Sequence, residues 1–339
     1  SDCLKKTLAV GELSLNGDLK KVSGILPIAM HARENNFKTI IVPFLNADEA
    51  SIIFDVNIIA ATDLKNLISH LRGENRIKPY TGSGIISSQK NTPDDLWHFE
   101  DIHGHEYAKR ALTITAAGGH NILLTGPPGS GKTLLARSMQ TVLPPLNFNE
   151  AIEVTKIYSI AGKLSADNSL MHMPPFRSVH HTASQLALIG GGIIPHPGEI
   201  SFAHNGVLFL DEMLEFPRAN LDCLRQPIEE GVVHINRARG SIVFPARFML
   251  VAATNPCVCG YYGDPIRACL CTPGAREKYR NRLSGPLLDR IDLVCNVPRL
   301  PFEKITTLIG NETSEIIRKK VIRARYIQHQ RQNQLNNRL

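Results

Sequence analysis

The sequence contains no long apolar run. Hydrophobic residues make up 43% of its 339 residues, yet they nowhere form the uninterrupted stretch of about 18 that a membrane-spanning helix needs. The chain opens Ser1-Asp2-Cys3, without a methionine and without the charged and apolar segments of a signal peptide. We therefore expect a fragment or processed form of a longer protein, with no membrane partner.

Acidic residues are missing from the C-terminal segment. Ile316 to Leu339 contains seven Lys or Arg residues and no Asp or Glu, which equals the whole formal net charge of +7. Such a basic run is either the solvated face of an amphipathic helix or a surface that faces a polyanion. Both interpretations stay open at this point.

Cysteine is too unevenly placed for a disulfide framework. Of seven cysteines, four form two CxC pairs separated by nine residues, namely Cys257, Cys259, Cys269 and Cys271. Four thiolates on one loop can bind Zn²⁺ in a tetrahedral site, and that binding would order a loop with almost no core of its own. Because the usual spacing is CxxC, redox chemistry and simple reduced thiols stay open beside zinc. Reduced thiols indicate a cytoplasmic setting.

Hydrophobic periodicity divides the chain into two α/β parts. In the first part it predicts strands at Leu8–Leu15, Thr39–Pro43 and Asn57–Ala60 and helices at Ile25–Glu34 and Asp63–Leu71. Periodicity then gives way to Gly, Ser, Pro, Asn and Lys, and later resumes as alternating strands and helices, which predicts a largely parallel sheet. We place a first domain at 1–72, a linker at 73–98, a main domain at 99–300 and the start of a truncated helical lid at 301–339.

A P-loop sequence stands in the context that it requires. Ile122–Leu124 predicts a buried strand and Leu134–Met139 a helix. Between them lie Gly126, Pro127, Pro128, Gly129, Ser130, Gly131, Lys132 and Thr133. The glycines let backbone N–H groups curl around phosphates at a helix N-terminus. Lys132 would contact the β- and γ-phosphates and the Thr133 hydroxyl would bind Mg²⁺, which predicts ATP and Mg²⁺ as cofactors.

Two further apolar strands end in polar residues. Val207–Leu210 is followed by Asp211 and Glu212, at the carboxyl end where open α/β sheets bind ligands. We expect Asp211 to hold Mg²⁺ through water and Glu212 to polarise the attacking water. The strand Phe248–Ala253 leads to Asn255, which either orients the same water or simply ends the strand in a turn.

An arginine between two aspartates closes the series of candidate catalytic residues. Arg290 follows a helical segment and stands between Asp289 and Ile291-Asp292. Taken alone, it is an ordinary ion-pair residue. In a ring ATPase it would instead reach the neighbouring subunit's nucleotide and stabilise transition-state charge.

Two adjacent histidines, His180 and His181, precede a helical pattern. Neighbouring side chains on a helix point in different directions, so the pair is a weak metal site. We interpret them as a capping or packing feature.

Four segments of the sequence resemble the magnesium-chelatase-like proteins of the YifB/ComM family. They are Pro197–Gly206, Leu224–Glu229, Asn255–Cys257 and Leu283–Arg290. The resemblance implies an AAA+ P-loop NTPase with a three-layer αβα sheet, of the helix-2-insert clade, with its insert around Arg177–Phe202 and a presensor hairpin around Val233–Ala246. It also implies a hexameric motor and, for ComM-type members, a DNA helicase for branch migration in natural transformation and recombination.

The N-terminal part resembles the C-terminal half of a Lon-protease-type (S5-like) α/β domain, through Val10–Leu15 and Phe37–Pro43. Proteases of that type pair a serine with a lysine. Counted back from Lys38, the place of the lysine is taken by Leu26, and the serine-bearing half is absent from the sequence. The resemblance therefore implies a non-catalytic scaffold.

Three functions compete. A DNA-translocating motor would track phosphates with cationic loop residues, for which Arg237, Arg239 and Lys163 are candidates. A chelatase-like ATPase that remodels a protein partner would use the same ATPase residues with an aromatic or hydrophobic pore loop, and the basic stretch Asn236–Gly240 favours the motor. The intact P-loop lysine and acidic pair disfavour a structural protein without hydrolysis. Because the lid that supplies a second sensor-type arginine is cut off, we expect the fragment alone to hydrolyse ATP poorly.

Overall fold

The computed structural model describes residues 5–82, 96–164, 169–237, 240–301, 312–332 and 335. The chain divides into two compact units, of which the first comprises residues 1–91 and 146–172 and the second comprises residues 92–145 and 173–339. A stretch of chain between the P-loop and the acidic strand therefore belongs to the first unit. Within the described part of the chain, no helix combines the length and the apolar character needed to cross a membrane.

The first unit is built around a three-stranded parallel sheet of order β1-β4-β5. Its elements are β1 (Thr7–Ala9), β2 (Glu12–Leu13), β3 (Leu19–Lys20), α1 (Ile25–Glu34), β4 (Thr39–Pro43), α2 (Ala47–Ala50), β5 (Asn57–Ala61), α3 (Leu64–Arg72) and α6 (Phe148–Ile160). Two of the predicted elements, α1 and β4, have the predicted bounds. The strand predicted at Leu8–Leu15 is divided in the structure: β1 ends at Ala9, and β2 pairs with β3 across a turn that includes Gly17 at φ +90°.

The core of the first unit lies between α1 and the sheet. Leu26 is fully buried there, together with Ile25 of the same helix and Ile40 of β4. An apolar side chain at position 26 is therefore part of the packing of this unit.

The second unit contains a five-stranded sheet of order β14-β6-β13-β10-β7, in which every neighbouring pair is parallel. Its helices and strands are α4 (Glu106–Gly118), β6 (Ile122–Thr125), α5 (Lys132–Val142), β7 (Phe176–Val179), α7 (Gln185–Ile189), β8 (Gly190–Gly191), β9 (His196–Pro197), α8 (Glu199–Phe202), β10 (Val207–Leu210), α9 (Arg218–Asp222), α10 (Arg225–Glu230), β11 (Val232–Arg237), β12 (Gly240–Pro245), β13 (Met249–Thr254), α11 (Pro273–Arg280), α12 (Gly285–Leu288), β14 (Leu293–Asn296) and α13 (Ser314–Gln332). The predicted α/β fold with a parallel sheet is confirmed.

Both faces of this sheet are buried. Val207 and Phe209 of β10 pack into one core with residues of α4, α5 and α13. Leu208 and Leu210, which point the other way because side chains alternate along a strand, pack into a second core with residues of α8 and α9. The sheet is therefore the middle layer between two layers of helices.

The first residues of the segment predicted as an insert, around Arg177–Phe202, belong to the central sheet. Arg177 belongs to β7 and pairs with Leu208 in the central sheet, so it is part of the fold's framework. The short antiparallel pair β8–β9 follows, between α7 and α8, and its connection exposes Ile193 (98%) and Ile194 (72%). The hairpin predicted around Val233–Ala246 corresponds to β11 and β12.

Candidate functional site

The carboxyl ends of three strands meet at one cavity. Because β6, β13 and β10 are parallel neighbours, the residues that follow them lie at the same edge of the sheet. The cavity has a volume of about 410 Å³. Its lining consists of Pro128, Gly129, Ser130, Gly131, Lys132, Thr133, Leu134, Asp211, Glu212, Thr254 and Asn255. The structure thus brings most of the residues predicted for ATP binding into one place.

The loop from Gly126 to Gly131 needs its glycines. Gly131 has φ +86° and immediately precedes α5, which begins at Lys132. A Cβ at Gly126 would lie 2.1 Å from the carbonyl oxygen of Val297, a separation that no side chain tolerates. The loop can therefore fold tightly ahead of α5, whose first N–H groups are available to an anion.

The Lys132 side chain is held inside the loop. Its Nζ donates hydrogen bonds to the carbonyl oxygens of Gly126 (2.8 Å) and Pro127 (2.9 Å) and a longer one to Oδ1 of Asn255 (3.4 Å). Burial lowers the pKa of Lys132, while the charges of Asp211 and Glu212 act in the opposite direction. Gly126 and Pro127 do not line the cavity, whose lining begins at Pro128. They affect the site by binding the Lys132 ammonium through their carbonyl oxygens.

Thr133 and Asp211 form the second element of the site. Oγ1 of Thr133 donates a 2.8 Å hydrogen bond to Oδ2 of Asp211, and Oδ1 of Asp211 accepts one from the backbone N–H of Glu212 (3.0 Å). A hydroxyl and a carboxylate oxygen side by side, next to a phosphate-type cradle, match the oxygen ligands that Mg²⁺ prefers. These two residues can hold Mg²⁺ here.

Glu212 lies beside a residue that the sequence interpretation did not connect to it. Nδ1 of His181 lies 3.3 Å from Oε2 of Glu212, and Glu212 itself has φ +51°. His180 makes a local contact with Thr182 Oγ1 (2.9 Å), whereas the next helix, α7, is capped by Ser184, so His180 is a turn residue and not a helix cap. His181 follows β7, and β7 lies next to β10, the strand that leads to Glu212. The order of the strands would therefore have placed His181 beside Glu212.

Arg290 does not line the cavity that the described residues form. Its Nη1 donates to the carbonyl oxygen of Pro286 (2.7 Å), and its guanidinium forms an ion pair with Glu229. The backbone around it is fixed by Asn121, whose Nδ2 donates to the Arg290 carbonyl oxygen (2.9 Å) and whose N–H donates to Asp292 Oδ2 (2.7 Å). Within its own chain, Arg290 is an ion-pair residue on a well-anchored turn.

The four clustered cysteines converge. The sulfur of Cys257 lies 3.4 Å from that of Cys259 and 3.6 Å from that of Cys269. With Cys271, all four sulfurs fall within 4.8 Å of one another. Four converging thiols on one loop are a donor set suited to a tetrahedral Zn²⁺ ion.

The residues predicted to contact DNA are described only in part. Arg237 ends β11, where its backbone pairs with Gly240 across the hairpin. The side chain of Arg237 and the whole of Arg239 lie outside the described residues. Lys163 belongs to the first unit, just after α6. The predicted DNA contacts therefore stay predictions.

The basic C-terminal run forms most of α13, and two of its arginines pack inward. Arg318 donates two hydrogen bonds to the carbonyl oxygen of Thr141 (2.8 and 2.6 Å), and Arg325 donates two to that of Ala116 (2.9 and 2.7 Å). Val321 between them is fully buried. These residues favour the amphipathic-helix interpretation of the run.

Comparison with known protein families matches both parts of the chain. A family model described as "Magnesium chelatase, subunit ChlI" matches residues 98–305. A second, described as "Subunit ChlI of Mg-chelatase", matches residues 1–46. The first match spans the whole cavity and the cysteine cluster.

Individual proteins are similar to this chain over nearly its full length. YifB of Escherichia coli is 45% identical over 329 residues, which are 96% of this chain and 63% of that protein. The competence protein ComM of Haemophilus influenzae is 45% identical over 340 residues, 98% of this chain and 65% of that protein. The magnesium-chelatase 67 kDa subunit of Chlorobaculum parvum is 28% identical over 162 residues, 47% of this chain and 23% of that subunit. The chain thus spans a little under two thirds of the first two relatives.

Proposed function

This chain belongs to the magnesium-chelatase-like AAA+ family of YifB and ComM, and from that premise we propose that its cavity binds ATP with Mg²⁺ and hydrolyses it. The observation that carries the proposal is the convergence of Lys132, Thr133, Asp211 and Asn255 at the ends of adjacent parallel strands. Gly126, Pro127, Pro128, Gly129, Ser130 and Gly131 complete the phosphate cradle in this proposal.

Binding uses the charges and donors already assembled. The N–H groups at the start of α5 and the ammonium of Lys132 would contact the phosphates, since the start of α5 and Lys132 both line the cavity. Lys132 would first release the carbonyl oxygens of Gly126 and Pro127. Thr133 and Asp211 would hold Mg²⁺, directly through the hydroxyl and through water at the carboxylate. Bound Mg²⁺ supplies charge that offsets the negative charge of the phosphate oxygens.

Hydrolysis requires a base and an orienting group for the attacking water. Glu212 lies at the cavity wall with its carboxylate beside His181, where it can accept the proton of a water molecule. The amide of Asn255, across the cavity and near Lys132, would orient that water toward the terminal phosphate. The two residues come from neighbouring strands, so their spacing is set by the sheet.

Arg290 would complete the site of an adjacent copy. It lies outside the cavity of its own chain, on a turn fixed by Asn121. A residue that acts across a subunit boundary needs such a fixed position. Displacement of Arg290 from Glu229 would free the guanidinium to stabilise charge in the neighbouring site. We therefore propose a ring of identical chains, as in the hexamers that the family resemblance implies.

We propose DNA as the substrate of this motor. The relative ComM is named for competence. The last described pair of the hairpin β11–β12 is Arg237 with Gly240, and the sequence there supplies Arg237 and Arg239, cations of the kind that can follow a phosphate backbone. Branch migration in natural transformation and recombination is the corresponding process. The alternative, remodelling of a protein partner, is favoured by the match to a magnesium-chelatase subunit.

One experiment separates the two functions. ATP turnover is measured without nucleic acid, with single-stranded DNA and with a branched DNA junction, at matched salt. Stimulation by DNA supports the motor. An ATP turnover rate that no DNA changes at low salt contradicts the DNA motor and supports remodelling of a protein.

The first unit and the cysteine cluster have separate proposed roles. We propose that residues 1–72 form the non-catalytic remnant of a Lon-protease-type domain, because Leu26 occupies the place of the catalytic lysine and is buried in the core.

We propose that Cys257, Cys259, Cys269 and Cys271 hold one Zn²⁺ ion, since their sulfurs already converge. Reduced thiols of this kind fit a cytoplasmic protein.

A further inference from the structure

The loop that carries the four cysteines touches the candidate ATP site. This cysteine loop, residues 255–272, connects β13 to α11. A Cβ added at Gly260 would lie 2.8 Å from Cγ and Cδ of Pro128 and 3.8 Å from Cγ of Asn255. The backbone of the loop is therefore packed directly against the phosphate loop and against the amide proposed to orient water.

A second interaction reaches the same proline. Nη2 of Arg299 donates a 3.3 Å hydrogen bond to the carbonyl oxygen of Pro128, and its Nε lies 3.6 Å from Oδ2 of Asp264 in the cysteine loop. Gly260 thus packs against the ring of Pro128, and Arg299 binds the backbone carbonyl oxygen of Pro128. Both interactions depend on the position of the cysteine loop.

The cysteine loop has little apolar packing to fix that position, and its other contacts are polar, such as Arg276 over the ring of Tyr262 (4.3 Å) and Asp264 beside Arg299. The structure describes all of residues 255–272, and they form no helix or strand. Three apolar side chains of the loop point to solvent, namely Val258 (65% exposed), Ile266 (72%) and Leu270 (88%). Cys257 is its buried apolar anchor, two residues after Asn255. A loop without a core is ordered by cross-links, and four thiolates on one Zn²⁺ ion are such a cross-link.

We propose that the zinc site is a brace for the ATP site: Zn²⁺ bound by the four cysteines fixes Asn255 and Pro128, so that metal occupancy sets the rate of ATP hydrolysis. The inference rests on the proposed ATP and zinc sites. None of the four cysteines lines the cavity that the described residues form, so zinc would act through the protein. It acts by holding Cys257 beside Asn255 and Gly260 against Pro128.

Two glycines of the loop provide a matched test. Gly260 and Gly263 have nearly equal positive φ values, +85° and +80°, but a Cβ at Gly263 meets nothing within 4 Å. Alanine meets a similar positive φ at both positions, and only the Cβ of Gly260→Ala meets Pro128. All four cysteines remain in both variants.

We expect both glycine variants to retain about one zinc per chain by elemental analysis. In Gly260→Ala, the rate constant for hydrolysis should fall about 10- to 100-fold, because small misplacements of positioning groups have effects of this size. Gly263→Ala should stay near wild type. Equal rates in the two variants would overturn the proposal.

Metal loss is tested by Cys269→Ser, with Cys223→Ser as control. Cys223 is a thiol outside the cluster, whose Sγ donates to the carbonyl oxygen of Asn220. Cys269→Ser should lose its zinc and show the same fall in rate as Gly260→Ala, while Cys223→Ser keeps both zinc and rate. A zinc-free Cys269→Ser protein that hydrolyses ATP at the wild-type rate would refute the brace.

The failure of the proposed ATPase function gives a different result. If the wild-type chain binds ATP without hydrolysing it, the affinity for the fluorescent analogue mant-ATP still reports the position of Pro128. Gly260→Ala should then bind mant-ATP about tenfold more weakly than Gly263→Ala. If the two zinc-containing variants bind mant-ATP equally well, the brace is contradicted while the nucleotide site itself is not.

Discussion

The hydroxyl of Thr133 donates a hydrogen bond to the carboxylate of Asp211 over 2.8 Å, although 78 residues separate the two in the sequence. Thr133 lies in the first turn of α5 and Asp211 follows β10, so the bond joins the phosphate loop to the acidic strand. Two oxygen atoms are thereby held side by side at the cavity wall. We interpret this pair as the Mg²⁺ site.

Thr133→Val tests that interpretation, because valine keeps the shape of threonine and removes the hydroxyl. We expect mant-ATP binding in EDTA to stay within about twofold of wild type, while Mg²⁺ no longer strengthens it. Thr113→Val is the control, since that hydroxyl donates to the Lys109 carbonyl oxygen of its own helix. A Thr133→Val protein with the full effect of Mg²⁺ would exclude Thr133 as a ligand.

Glu212→Gln separates binding from hydrolysis. The amide keeps the size of the side chain but cannot accept a proton, so ATP turnover should fall by about 10² to 10⁴ while mant-ATP affinity is retained. Glu215→Gln is the matched control, since Glu215 pairs with Arg282 at 3.0 Å. Wild-type turnover by the Glu212→Gln protein would assign the base to another residue.

The sequence predicts the elements whose local signals are strong. The helix Ile25–Glu34 and the strands Thr39–Pro43 and Val207–Leu210 have the predicted bounds. In these segments the apolar period and the flanking turn residues agree with each other. The phosphate loop is predictable for the same reason, since strand, glycines and helix follow in order.

Features that depend on the arrangement of strands are not predictable in this way. The strand Phe176–Val179 has only four residues, with Arg177 and Ser178 between two apolar ones, so it lacks the alternation that marks a strand in sequence, and it lies at the edge of the sheet. Without the order of strands, His181 has no visible relation to Glu212. The assignment of α6 to the first unit is likewise a matter of packing, which periodicity alone does not give.

Arg290→Ala tests catalysis across a subunit boundary. The variant should bind ATP normally and hydrolyse it about 10³-fold or more slowly, because the guanidinium stabilises charge only in the transition state. Mixing it with Glu212→Gln protein should restore some activity, since mixed rings contain sites with one intact Glu212 and one intact Arg290.

Glu229→Gln is the control for Arg290, because it breaks the ion pair and leaves the arginine in place. We expect it to retain hydrolysis. If Glu229→Gln is as slow as Arg290→Ala, or if confirmed mixed rings recover nothing, Arg290 is a structural ion-pair residue.

The double variant Arg237→Ala/Arg239→Ala tests the hairpin as the DNA-binding element. We expect unchanged basal ATP hydrolysis, weaker DNA binding at all sequences alike, and a salt dependence shallower by about 0.7 for each single-strand phosphate that the variant no longer neutralises. Lys319→Ala/Lys320→Ala removes the same charge from α13, where these lysines pair with Glu315 and Glu312. An equal decrease of affinity in both double variants would point to net charge rather than to the hairpin.

The binding of mant-ATP to wild-type and Lys132→Ala protein tests the central claim most directly. On binding, the ammonium of Lys132 would exchange its hydrogen bonds to Gly126 and Pro127 for charge-assisted hydrogen bonds to phosphate, so its removal should weaken binding by about 10- to 100-fold. Lys278→Ala, at an exposed position of α11, should bind like wild type. Equal affinity in Lys132→Ala and wild type would contradict the nucleotide site.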